Sequence, residues 1–371
     1  MDNQGKKYVN KQIVLAKRPK GAPKPSDFSV AQREVPELTE GQVLLKTLYF
    51  SLDPYMRGRM NEIKSYIAPF SLGEALTGHA ICEVQASKNA ELKSGDIVIS
   101  LTGWQTYAVI SPKVSKQMPL EPDTVTKIPT SDKPSLFLGA LGMPGFTAYY
   151  GLNQIGEPKE GETVVVGAAT GPVGSMVGQL AKQKGCTVVG IAGGPQKCKY
   201  AVEVFGFDAC IDHKSKTFAK DLKKACPKGI DVYFENIAGS VFWAVFPLLN
   251  NFARVPVCGA ISLYNDALTL AEPGFSPGKM LAKLRAIFHF LRIDKTPVLI
   301  TSMIVKKLKL QGFIIGDHVE EYDNFLNEIL PMVNSGQIKY KEDIVKGIEK
   351  APSAFCGLLK GANFGKVVIE I

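Results

Sequence analysis

The stretch that most constrains this chain runs from Val164 to Gly174. Three valines, Val164-Val165-Val166, lead into the turn Gly167-Ala168-Ala169-Thr170-Gly171, which passes through Pro172 and Val173 to Gly174 and a segment of helical periodicity. A strand that enters a glycine turn and leaves as a helix is half of a βαβ unit. The backbone can approach a phosphate there, and the helix start offers free N–H groups and the positive end of its dipole. Ala169-x-Gly171-x-x-Gly174 is the dinucleotide fingerprint with alanine in place of the first glycine. Gly171 permits the close approach, and Gly174 lets helix and strand pack tightly.

The segments that follow alternate: strand 163–166, helix 173–184, strand 187–191, helix 196–205, strand 209–212, helix 217–225, strand 230–235, helix 240–250 and strand 254–258. Such alternation predicts a doubly wound parallel α/β sheet, a Rossmann domain. A site for NAD would place an acid about twenty residues beyond the turn, to hold the ribose 2′-hydroxyl. Here the chain reads Ile191-Ala192-Gly193-Gly194 without an acid, and Lys197 follows. A lysine there suits a 2′-phosphate, so the expected cofactor is NADPH/NADP; the alternative for Lys197 is a solvated lysine at a helix start.

The first 125 or so residues read differently, as short β segments such as 43–48, 80–84 and 96–100 between turn formers. Residues 135–155 fit one or two helices interrupted by Gly142-Met143-Pro144-Gly145. A last helix over 319–335 precedes a β-like tail, Lys366–Ile371, whose composition matches the first half. At 371 residues two domains are expected. No apolar run reaches the roughly 18 residues of a membrane span. The basic N-terminus (Lys6, Lys7, Lys11, Lys17, Arg18) has no apolar h-region, and the seven cysteines show no C-x-x-C spacing. A reducing, cytoplasmic setting is therefore expected. The net charge of +9 concentrates near the N-terminus and in residues 279–309, not over a whole domain face, which argues against nucleic acid as a partner.

Five further stretches carry a family resemblance: Ser51-Leu52-Asp53-Pro54-Tyr55-Met56-Arg57-Gly58, Gly103-Trp104-Gln105-x-Tyr107, Gly142 to Leu152, Cys258-Gly259-Ala260-Ile261-Ser262-x-Tyr264-Asn265, and Asn363-Phe364-Gly365-Lys366. Together they resemble the leukotriene B4 12-hydroxydehydrogenase/prostaglandin reductase group, with the plant alkenal double-bond reductases, a zinc-free branch of the medium-chain dehydrogenase/reductases. The resemblance covers nearly the whole chain. It implies a GroES-like β-rich catalytic domain built from residues 1–137 and 331–371 around a Rossmann domain, 138–330. It also implies NADPH held by Gly171–Gly174 and Lys197, with Asn236, Cys258, Gly259, Ala260, Ile261, Ser262, Phe313, Ile314, Ile315 and Asn363 lining the rest. A small α,β-unsaturated carbonyl substrate is implied, and a homodimer is usual for the group.

Three features depart from the family pattern. Ile211-Asp212-His213-Lys214 carries histidine where the family has tyrosine near the 2′-phosphate; His213 can still donate a hydrogen bond and brings an expectation of pH sensitivity. Gly78-His79-Ala80 is similar to the Gly-His-Glu of zinc alcohol dehydrogenases, but a catalytic zinc needs three protein ligands, so no metal is expected and His79 reads as structural. Residues 266–309 exceed the usual family loop. Apolar positions 280, 284, 287, 288 and 291 form one helical stripe, expected to pack over the active site or at a subunit contact, with a membrane surface as the alternative.

Without a metal, a hydroxyl must stabilise the charge on the substrate oxygen as hydride adds to the β carbon. Tyr264 is the catalytic candidate, and Tyr55 and Tyr66 are candidates for the substrate pocket. The competing expectations are alcohol oxidation or quinone reduction on the same scaffold and, outside enzymes, a catalytically silent NADPH-binding redox sensor.

Overall fold

The computed structural model describes residues 7–129, 131–265 and 295–371. The chain forms two compact units. One comprises residues 1–146, 315–337 and 341–371, and the other residues 147–314 and 338–340.

The first unit is β-rich. Its hairpin pairs Val9–Leu15 with Phe28–Glu34, and a mixed sheet is laid around the central strand Val43–Ser51. That strand pairs antiparallel with Ala80–Ser87, with Tyr107–Ile110 and with the C-terminal strand Lys366–Glu370. The pairing of Val368 with Ser51 and Ile369 with Phe50 shows how the returning tail completes the sheet begun by the first half. Strand Glu342–Lys346 and helix Ala351–Leu358, unforeseen in the sequence, flank the tail. Trp104, fully buried, stacks with Phe28 and Phe50 and meets Phe355 edge-on at the centre of this core. Helix Tyr322–Asn334 groups with this unit, although the sequence reading placed residues 315–330 with the nucleotide domain.

The second unit is a six-stranded, all-parallel sheet. Numbered along the chain, its strands lie in the order 3-2-1-4-5-6, the dinucleotide-binding arrangement. The first is Thr163–Gly167, whose five residues are all buried, as a strand covered on both faces must be. The sixth, Lys309–Gly312, follows helix Thr296–Lys306, which lies within the long segment 266–309. The expected stripe at 280–291 falls outside the described residues.

Two local readings differ from expectation. Gly142-Met143-Pro144-Gly145 starts a helix, Met143–Tyr150, because proline suits a first turn whose N–H is unused. That helix runs on as a π-helix, Gly151–Gly156. The helix expected over 240–250 spans Gly239–Val245; after Pro247 the fifth strand begins, at Leu249. No helix among the described residues is long and apolar enough to cross a membrane.

Candidate active site

The first strand ends at Gly167, and the chain turns through Ala168, which sits at φ +52° in the left-handed region. That conformation costs an L-residue about 1–2 kcal/mol. The amide of Gly171 closes the turn on Ala168 O at 2.8 Å, and the helix Pro172–Gln183 begins with Pro172 in its first turn and no side chain capping it. Its first N–H groups are therefore left without intrahelical partners. A Cβ at Gly174 would collide with Ala168 O, and one at Gly171 would come within 3.2 Å of the same oxygen. The alanine at the fingerprint's first glycine is accommodated from the next strand, since a Cβ on Gly190 would stand only 2.7 Å from Ala169 Cβ. The turn keeps the shape of a phosphate cradle, so the residues fit a dinucleotide.

The second strand ends at Gly193-Gly194, where helix Pro195–Glu203 carries Lys197 in its first turn. A Cβ on Gly193 would lie 3.0 Å from His213 Nε2 and 3.6 Å from Lys214 Nζ. Lys197 is also close enough to act electrostatically on His213. Three basic side chains thus gather at one corner. Asp212 stands beside them, its Oδ1 accepting the N–H groups of Gly194 and Lys214, both at 2.9 Å. Burial pushes His213 below the ordinary histidine value, Asp212 pulls it back, and Lys214 and Lys197 push it down again. In the free protein the imidazole is therefore neutral near neutral pH, and its titration lies on the acid side.

At the end of the fourth strand, Asn236 Nδ2 donates to Gly167 O at 2.9 Å, tying this turn to the cradle. The adjoining Glu235 is 2% exposed, and burial raises its carboxyl. Its backbone oxygen accepts the N–H groups of Cys258 (3.0 Å) and Gly259 (3.1 Å) from the fifth strand's end. Cys258, through Ala260 and Ile261 to Ser262, therefore lies directly beside the Asn236 turn. Burial, with Glu235 nearby, pushes the Cys258 thiol up to about 12, so it is no thiolate. A short 3₁₀ turn, Ile261–Leu263, brings Tyr264 back so that Ala260 N–H donates to its phenol oxygen at 3.4 Å. Burial raises the Tyr264 hydroxyl, the Ala260 bond lowers it and Cys258 raises it, leaving it above the ordinary tyrosine value. A phenol that accepts an N–H and keeps its proton near neutrality is a donor. Phe313 stands against Phe234 and Tyr150, over Gly151, whose missing side chain makes the room; Ile314 follows, partly exposed.

Tyr55, Tyr66, Ile315 and Asn363 belong to the β-rich unit. Tyr55 immediately precedes the short helix Met56–Arg59. Burial, followed by the Asp53 charge, raises its hydroxyl strongly, while Arg59 donates to it and works the other way. Arg59, which sequence reasoning did not single out, is held by Ala68 O (2.9 Å), by Thr77 O (3.3 Å) and over the Phe70 ring at 4.0 Å. Tyr66 is 61% exposed, within electrostatic reach of Tyr55 and Arg59. Ile315 is buried, and Asn363 Nδ2 bonds Gly365 O at 2.7 Å.

Two of the resemblance motifs meet inside this unit. Lys366 Nζ donates to Ser51 Oγ (2.6 Å), Leu52 O (3.1 Å) and Asp53 Oδ1 (2.5 Å), and Ser51 Oγ donates to Asp53 Oδ2. This buried ion pair clamps the start of the Asp53–Tyr55 turn to the Asn363–Lys366 turn. His79, buried, places Nε2 2.9 Å from Pro119 O, which as a carbonyl can only accept, so Nε2 carries a proton. Among the described residues no three His, Cys, Asp or Glu side chains gather in a group able to hold a metal.

Comparison with known proteins follows this division. An N-terminal domain of oxidoreductases matches residues 11–118, and a domain described as zinc-binding dehydrogenase matches residues 172–298. The chain is 48% identical to the NADPH-dependent curcumin reductase of Escherichia coli over 98% of each chain. It is 36% identical to the NADP(+)-dependent 2-alkenal reductase of Nicotiana tabacum, over 98% of this chain and 97% of that one. Among solved structures, CurA in complex with NADPH from Vibrio vulnificus superposes with a TM-score of 0.83 at 46% identity, covering 97% of this chain and 98% of that one. This chain belongs to the NADPH-dependent, zinc-free medium-chain dehydrogenase/reductases, the group of the curcumin, alkenal and prostaglandin reductases.

Proposed function

We propose that the protein reduces the carbon–carbon double bond of α,β-unsaturated aldehydes and ketones with NADPH, with Tyr264 as the hydroxyl donor to the substrate's carbonyl oxygen. The observation that carries this reading is the placement of the Tyr264 phenol, whose oxygen accepts the Ala260 N–H at 3.4 Å. It extends from a loop whose backbone is bonded to the Asn236 turn, and that turn is bonded to the cradle. The relatives named for curcumin and alkenal reduction support the substrate class.

When bound, NADPH supplies the hydride for the β carbon. The Gly171–Gly174 turn would hold its phosphates, and Lys197, with His213, would hold the 2′-phosphate. Tyr264 meets the negative charge that moves to the carbonyl oxygen; one such donor, with water excluded, contributes roughly 3–4 kcal/mol. The α carbon takes its proton from Tyr264 or water. Tyr55 and Tyr66, on the β-rich unit, are the proposed substrate-pocket residues. Seven free thiols accord with a reducing cytoplasm.

NADPH consumption against enals, enones and quinones, and NADP+ reduction with allylic alcohols, with products identified, tests the reading. Saturated aldehydes and ketones are the expected products. Allylic alcohols from the enones, or turnover with quinones alone, would replace it with carbonyl or quinone reduction.

A further inference from the structure

Glu235 is a buried acid that the proposed chemistry does not use. Its Oε1 accepts two consecutive backbone N–H groups, Ile237 at 2.5 Å and Ala238 at 2.8 Å. Those bonds brace a turn with left-handed backbone: Ala238 stands at φ +66° and Gly239 follows at φ +61°. An alanine in that region is strained and persists only where its surroundings fix it. Tyr233, also fully buried, lies beside the carboxylate.

The turn in turn holds the neighbouring loop. Asn236 O accepts Ile261 N–H at 3.3 Å, and Ile237 O accepts both the N–H (3.0 Å) and the hydroxyl (2.6 Å) of Ser262. Ile261 and Ser262 make the 3₁₀ turn that ends at Tyr264, whose own N–H bonds Ile261 O at 3.4 Å. A side chain on Gly239 would press on Ser262 Oγ, at 2.9 Å. One carboxylate therefore fixes the strained turn, and the carbonyls of that turn fix the base from which Tyr264 projects.

We infer that Glu235 is the positioning residue for Tyr264: its carboxylate, by holding the Ile237–Ala238 turn, sets the phenol where it meets the substrate oxygen. The inference rests on the proposed enone reduction and adds to it a residue that touches neither substrate nor reacting atoms.

A double-mutant cycle tests it. Glu235→Ala is expected to lower turnover about tenfold or more in the wild-type background, yet less than about twofold in a Tyr264→Phe background, because the positioned group is already gone. Glu235→Gln, which keeps an oxygen for the two N–H groups, should stay within about threefold of wild type. Glu235→Asp, too short to reach both N–H groups, gives the same comparison if the alanine variant does not fold. NADPH titration by protein fluorescence supplies a reading independent of turnover, and binding should weaken by the same factor in both backgrounds. Equal losses of turnover in the two backgrounds, or a glutamine variant as impaired as the alanine one, would overturn the inference. Should Tyr264→Phe alone leave turnover untouched, the enone mechanism falls instead. NADPH binding then still reads the turn, whose Asn236 and whose neighbours Ile261 and Ser262 are assigned to the cofactor: unchanged binding in Glu235→Ala would show that the carboxylate does not hold it.

Discussion

Tyr264→Phe should lower the turnover of enone reduction by roughly tenfold to a hundredfold while the affinity for NADPH barely moves. The loss corresponds to about 1.4–2.7 kcal/mol of transition-state stabilisation. It falls short of a whole oxyanion donor because a water can enter and partly replace the hydroxyl. Cofactor affinity is spared because the hydroxyl's own partner is Ala260 N–H within the same loop, and phenylalanine fills the same space. The pH dependence carries a sign. Burial places the Tyr264 hydroxyl above the ordinary tyrosine value, and the donor works only while protonated, so activity should persist further into alkaline pH than a free phenol would allow. Steady-state kinetics with both proteins check this; unchanged turnover would remove Tyr264 from the chemistry.

Lys197→Ala should weaken NADPH by about tenfold to a hundredfold and NADH by much less. A hydrogen bond to a charged group contributes about 1.5–3 kcal/mol, and each 1.4 kcal/mol is tenfold in affinity. Only NADPH has the 2′-phosphate to lose it. The full ~3 kcal/mol, which would exceed a hundredfold, is not expected, because Lys214 and His213 remain at the same corner beside Gly193. Parallel titrations with the two cofactors read the ratio. Equal weakening would remove Lys197 from the 2′-phosphate site.

Much of this was legible because periodicity and punctuation are local. The run Val164–Val166, the glycines of the turn and the missing acid at Ile191–Gly194 announced the nucleotide fold and its phosphate preference before any coordinates. The similarity of the Lys366–Ile371 tail to the first half announced its return. Long-range pairings were not legible. Asp53 and Lys366 each stood in a recognised motif, yet nothing in either motif says that they form one buried ion pair. Glu235 ends an apolar strand as a surface acid might, and only the fold shows its carboxylate turned onto Ile237 and Ala238. Arg59 was passed over because its partners, Ala68 O, Thr77 O and the Phe70 ring, lie in an irregular segment without period. Gly142-Met143-Pro144-Gly145 reads as a break in the sequence because glycine and proline punctuate helices. Proline's other use, opening one, prevailed there.

The most direct test of the central claim follows one atom. With NADPH carrying deuterium at its transferable position and an enone as substrate, the account predicts a saturated ketone bearing the label on its former β carbon, with a solvent-derived proton on the α carbon. Label on the carbonyl carbon of an allylic alcohol would contradict it.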